Sequence, residues 1–231
     1  MAAKKTDQLV SLAGTFQTTA TLLDAAVRKR NGVLSEAVVL LGTPEHAETL
    51  EVVADALALA CKKHKAAIEA SERVRVLSKT AIEVNLATAP HLPFDGATIK
   101  HNAGGGWVKV EKKKDGLYVD GKKVELHLVN AQKNGSTIRG HELREALSGL
   151  PVLHPNILDA LYDHPHLIPE DFKQDEQGRT RFIFFWGVIF CGSGGDLCVR
   201  FLYWYDGAWR RYYRWLGYLW DDQRPAAVSA S

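Results

Sequence analysis

The run RTRFIFFWGVIFCGSGGDLCVRFLYWYDGAWRRYYRWLGYLW, Arg179 to Trp220, decides how this chain folds. It holds five of the six tryptophans and most of the tyrosines and phenylalanines of a 231-residue chain. Three segments within it have strand composition. A glycine-rich loop, Gly192 to Asp196, separates the first two, and Asp206-Gly207, a two-residue hairpin signal, separates the last two. A turn at Asp206-Gly207 predicts Tyr205 opposite Ala208, Trp204 opposite Trp209 and Tyr203 opposite Arg210. Symmetric folding of the glycine-rich loop predicts Phe190 opposite Leu197 and Gly187 opposite Arg200.

Alternation along the strands then sorts the side chains onto two faces. One carries Phe182, Phe184, Trp186, Val188 and Phe190 beside Val199, Phe201 and Tyr203, and reads as a core face. The other carries Ile183, Phe185, Gly187 and Ile189 beside Arg200, Leu202 and Trp204, with Trp209, Arg211, Tyr213 and Trp215 outermost. It is apolar enough to need cover as well. A one-residue slip would exchange every assignment.

Outward from this stretch the signals are weaker. Hydrophobic residues make up 46% and charged residues 24%, ordinary for a globular protein, and the formal net charge of +2 argues for no particular partner. No apolar run is long enough for a membrane helix and no secretory signal is evident, so no membrane partner is expected. Cys61, Cys191 and Cys198 form no CxxC pair. Reduced thiols and a cytoplasmic location are the expectation.

Four regions are expected. Residues 1–80 read as a helical hairpin or small bundle, because Leu9, Leu12, Phe16, Leu23 and Ala26, then Leu50, Val53, Leu57, Ala60, His64 and Ala67, hold two heptad seams. That coiled-coil-like region is a candidate for self-association or for binding a protein partner. Residues 81–106, with Pro90, Pro93 and three consecutive glycines, read as a linker. Residues 107–222 read as an aromatic-rich α+β domain of antiparallel sheet with short helices, and 223–231 as a flexible tail. Within the domain, Trp107 to Val110, Leu117 to Val119 and Val124 to Val129 look like strands, and Gly140 to Ser148 and Asn156 to Tyr162 like helices. The expected fold class is therefore α+β, an N-terminal helical hairpin or small bundle plus a C-terminal domain of antiparallel sheet with short helices. Residues 139–178 carry a charge balance of −5 and residues 179–220 one of +4, which predicts acidic helices against a basic sheet.

HPNILDALYDHPHLIPEDFK (154–173), FIFFWGVIF (182–190), LCVRFLYWYDGAWRRYYRWL (197–216) and PAAV (225–228) together resemble a group of short bacterial proteins with a LIPE stretch followed by an FFWG strand. The resemblance spans about residues 108–228. It implies a bacterial origin and the division above, and brings no activity.

No motif specifies a reaction. His154, Asp159, Asp163, His164 and His166 are the densest set of metal-ligand types, but capping and surface roles suit their spacing better, so neither a metal nor a cofactor is expected. Gly192 to Asp196 lacks the lysine and the following helix of a phosphate loop. Arg200 in the predicted register lies between Gly187 and Tyr213, leaving a notch floored by a guanidinium; Arg211, Trp204 and Trp209 complete that candidate ligand site. The competing reading is a buried arginine paired with Glu142 or Asp159. Arg210, Tyr212 and Arg214 alternate on the last strand, an arrangement that either contacts nucleic acid or protects a sheet edge. The leading expectation is a non-catalytic binding or assembly module. A nucleic-acid-binding protein is the alternative, and an enzyme with an anion pocket at Arg200 the second alternative.

Overall fold

The computed structural model describes residues 72–230, whose regular elements are mostly strands. In chain order these are β1 (Val74–Ser78), β2 (Ala81–Asn85), β3 (Thr98–Asn102), β4 (Trp107–Lys113), β5 (Gly116–Val119), β6 (Lys122–His127), β7 (Ile138–Arg139), β8 (Phe182–Cys191), β9 (Leu197–Tyr205), β10 (Ala208–Trp215), β11 (Leu219–Trp220) and β12 (Ala226–Ser229). Two α-helices, α1 (Gly140–Ala146) and α2 (Pro155–Asp163), interrupt them. The main sheet runs β1-β2-β4-β5-β6-β12-β8-β9-β10, with β3 paired to the far half of β8, while β7 and β11 form a small separate pair.

Short turns build the two arms of this sheet. Asp120-Gly121 and Asp206-Gly207 both have positive φ at both residues, as tight hairpins require, and they join β5 to β6 and β9 to β10. The arms meet at β12, antiparallel to β6 on one side and parallel to β8 on the other. The sheet curls around α2, which touches β2 in one arm and β8, β9 and β10 in the other. Ile82, Val84, Val110, Leu117 and Val124 therefore share one core with Ile157, Leu158 and Leu161 of α2 and with Ile183, Phe185, Leu202 and Trp209. Each large side chain so buried stabilises the fold by about 1.5–3 kcal/mol. On the outer face of β8 and β9, α1, Leu216 and Trp220 cover Phe184, Trp186, Val199 and Phe201.

Helix α2 starts at a proline in its first turn, and its N-cap His154 accepts the Asn156 N–H on Nδ1 at 3.1 Å. It stops at Asp163, two residues before Pro165.

The expected fold class is corrected on two counts. The described residues are mostly β, a curled sheet with two helices, instead of a helical hairpin or small bundle joined to an α+β domain. The proposed heptad seams fall outside the described residues, and where the helical reading overlaps them, Val74–Ser78 is a strand. Alternating Val74 and Val76 suit an extended chain, and the heptad pattern had already ended at Ala67. The expected linker likewise contains β2 and β3. The expected flexible tail contains β12, whose Ala226, Ala227 and Val228 are buried. Among the described residues no helix is long and apolar enough to cross a membrane.

Candidate functional site

The predicted hairpin register of β9 and β10 is observed: Tyr205 faces Ala208, Trp204 faces Trp209 and Tyr203 faces Arg210. The Trp204 and Trp209 rings meet edge to face at 5.5 Å. Between β8 and β9 the prediction fails. Phe190 faces Cys198, the register breaks between Phe185 and Phe190, and Arg200 faces Phe185 instead of Gly187. Phe182, Phe184 and Trp186 keep their predicted face. Past the break the faces exchange: Ile189 joins Trp186, while Val188 and Phe190 pack with Cys198, Phe94, Tyr213 and Trp215. Burial pushes the Cys198 thiol up to about 12, with Cys191 adding to the shift.

Gly187 explains the break. Its N–H donates to Leu153 O at 2.9 Å and its carbonyl accepts from Ala103 N–H at 2.8 Å, so it bonds away from β9. A β-carbon there would stand 2.8 Å from His154 Cα, so only glycine lets the chain at Leu153 and His154 lie against β8. The notch expected beside Arg200 is filled by that backbone. The His154 ring is also closed in by Gly104, where a β-carbon would stand 2.6 Å from it. His154 Nε2 donates to Asn102 Oδ1 at 3.0 Å, the tautomer required because Nδ1 accepts from Asn156. Burial lowers its pKa to about 4 against the opposing influence of Asp159.

Arg200 is 4% exposed and forms a bidentate pair with Asp159, Nη1 to Oδ2 at 2.7 Å and Nη2 to Oδ1 at 2.6 Å. The same carboxylate accepts from Arg211 Nη1 at 2.7 Å, and His91 Nδ1 lies 3.5 Å from it. Arg200 also donates to the carbonyl of His91, and Arg211 lies over the Tyr162 ring. Burial by itself would raise the Asp159 carboxyl; hydrogen bonds from His91 and Arg200 and the charge of Arg200 outweigh it and hold it well below the usual carboxylate range. The cluster ties α2, β9, β10 and the loop after β2 together. Of the candidate ligand residues, Arg200 and Arg211 thus serve an ion pair, Tyr213 packs on Phe94 and Trp209 lies in the core. Trp204 is overlain by Lys173. His91 was missed, because its place in a proline-flanked loop carries no signal for a partner on α2.

The other candidates share an open surface. Arg210, Tyr212 and Arg214 sit on the face of β10 aligned with Tyr203, Phe201 and Val199 of β9. Phe182 extends the row, tilted against Tyr203 at 5.5 Å and edge-on to Phe201 at 5.7 Å. Tyr212 is 59% exposed and Tyr205 64%, while Tyr203 and Phe182 are half-buried. Arg224 lies over Phe182 and pairs with Asp221. Arg214 reaches over Tyr218 and Trp220 at the boundary with the covered half of the face. Strand β10 closes the sheet on this side with no further strand among the described residues.

His164 and His166 meet edge to face at 5.9 Å, but His154 is buried apart from them, and no three His, Cys, Asp or Glu side chains among the described residues are placed to hold a metal ion. Comparison of the chain with protein-family models, with curated proteins and with solved structures gave no match.

Proposed function

We propose that this chain is a non-catalytic binding module whose binding surface is the open face of β9 and β10. The observation that carries the reading is the row Phe182, Tyr203, Tyr212 with Arg210 beside it, aromatic rings left half-buried to exposed on an edge of the sheet. Exposed aromatic surface costs solvation free energy, and aromatic residues with arginine are enriched where proteins bind. The non-catalytic part rests on the inner polar groups. Asp159 is held by two arginines, and both ring nitrogens of His154 are engaged, leaving neither poised for proton transfer to a substrate.

The test is recovery of the full chain from its native cells as wild type and as Tyr212→Ala. Wild type is expected to retain a macromolecule that the variant releases. Equal retention by both would remove this face as the binding surface.

A further inference from the structure

We infer that the open face of β9 and β10 binds single-stranded nucleic acid, with bases on Phe182, Tyr203 and Tyr212 and phosphates at Arg210, Arg214 and Arg224. This deepens the reading of that face as the binding surface and rests on it.

Three features point to this class of ligand. The rings form a row across strands, Phe182 and Tyr203 half-buried and Tyr212 exposed with one ring face stacked on Tyr213 at 4.8 Å, and aromatic surface of that kind accepts bases of any sequence. The cations border the row on both sides: Arg210 and Arg214 lie on β10, and Arg224 lies over Phe182 at 5.6 Å. Among the described residues Arg210 makes no hydrogen bond or ion pair, so its charge is available.

The third feature is Arg214. Its Nε is enclosed without an acceptor, its one hydrogen bond runs from Nη2 to Leu219 O at 2.8 Å, and it forms no ion pair among the described residues. Burial lowers its pKa, and the charge of Arg224 lowers it further. Asp221, the acid whose charge offsets this, is itself paired with Arg224. An under-satisfied, partly desolvated cation is costly, and a phosphate charge brought to the guanidinium of Arg214 offsets part of that cost. Edge protection of a sheet explains the exposed Arg210 but not a half-buried Arg214 whose Nε is enclosed without an acceptor. A protein segment laid on the same face could use the rings, but meeting both arginines would take acids at matching spacing. A phosphodiester chain supplies regular charge and flat rings together.

The experiment uses the full chain and fluorescein-labelled fifteen-nucleotide oligo-dT and oligo-rU, read by anisotropy. Binding of either sugar supports the inference, since stacking and phosphate contact do not read the 2′-hydroxyl. Three phosphate contacts on a single strand give a logarithmic salt slope of about −2, so affinity is expected to fall roughly forty-fold between 50 and 300 mM salt. Tyr212→Ala is expected to weaken binding about ten-fold, the effect of losing one stacked base. Arg210→Ala is expected to flatten the salt slope by about 0.7. Both side chains are exposed, so melting temperature should be unchanged, and Lys122→Ala on β6 serves as the remote control.

No anisotropy change at 50 µM protein in 50 mM salt overturns the inference, as does binding indifferent to both Tyr212→Ala and Arg210→Ala. If oligonucleotides fail while wild type retains a protein that Tyr212→Ala releases, the nucleic-acid assignment falls and the binding face stands. If oligonucleotides fail and retention is equal, both fall.

Discussion

A β-carbon on residue 187 would meet backbone, His154 Cα at 2.8 Å and Leu153 O at 3.0 Å, and backbone cannot swing aside as a side chain does. Gly187→Ala is expected to destabilise the protein by about 1–3 kcal/mol, the usual consequence of over-packing. Chemical denaturation would check it, and an unchanged midpoint would mean that the chain at Leu153 and His154 is not seated on β8. The residue seated there sets the response to acid. The folded pKa of His154, about 4, lies below its ordinary value, so the unfolded chain takes up a proton first as pH falls. Stability is fully present above about pH 6.5 and declines toward pH 4. Asp159, also depressed, extends the loss to lower pH. Urea denaturation at pH 7 and pH 4.5 is expected to differ by about 2 kcal/mol. His154→Asn, which keeps a capping acceptor, should weaken that dependence; a profile as steep as wild type would assign it elsewhere.

Among the elements, β12 has the largest consequence for its size. Four residues pair antiparallel with β6 and meet β8 in parallel, and the Phe182 and Phe184 N–H groups donate to Gln223 and Pro225 carbonyls just before it. Leu153 N–H donates to Ala227 O and Ser229 N–H to Pro151 O, so the strand also anchors the entry to α2. Deleting residues 223–231 would expose the facing edges of β6 and β8 and unpair buried backbone groups. Loss of a cooperative thermal transition is the expected outcome. A truncated protein melting within a few degrees of the full chain would show that the two arms close without β12.

Across the whole molecule, the curl makes the first strands part of the same core as the aromatic stretch. Ile82 and Val84 of β2 are each 1% exposed and lie in one cluster with Phe185, Leu202 and Trp209. Asn156 on α2 donates to the carbonyls of Asn85 and Thr88, which fixes the loop that follows β2. A chain starting at residue 98 lacks β1 and β2 and should not unfold cooperatively, whereas one starting at residue 72, which keeps every described strand, should. Calorimetry of the two would decide. A sharp transition from the shorter chain would make β1 and β2 dispensable additions to the sheet.

What the sequence by itself determined is local. Asp206-Gly207 set the register of β9 against β10 because a two-residue turn leaves no freedom in pairing. His154-Pro155-Asn156 marked the start of α2, and alternation placed Phe182, Phe184 and Trp186 on one face and the row Arg210, Tyr212, Arg214 on another strand of it. The tertiary structure decided everything that depends on a distant partner. The break in β8 arises because Leu153 and His154, more than thirty residues earlier, press on Gly187, and no pattern within β8 announces that. Arg200 became an ion-pair residue because α2 delivers Asp159 to it across the curl. The expected linker and tail became strands because β4, β6 and β8 offered open edges. Unpaired backbone groups recruit whatever chain lies near, and nearness is a property of the fold.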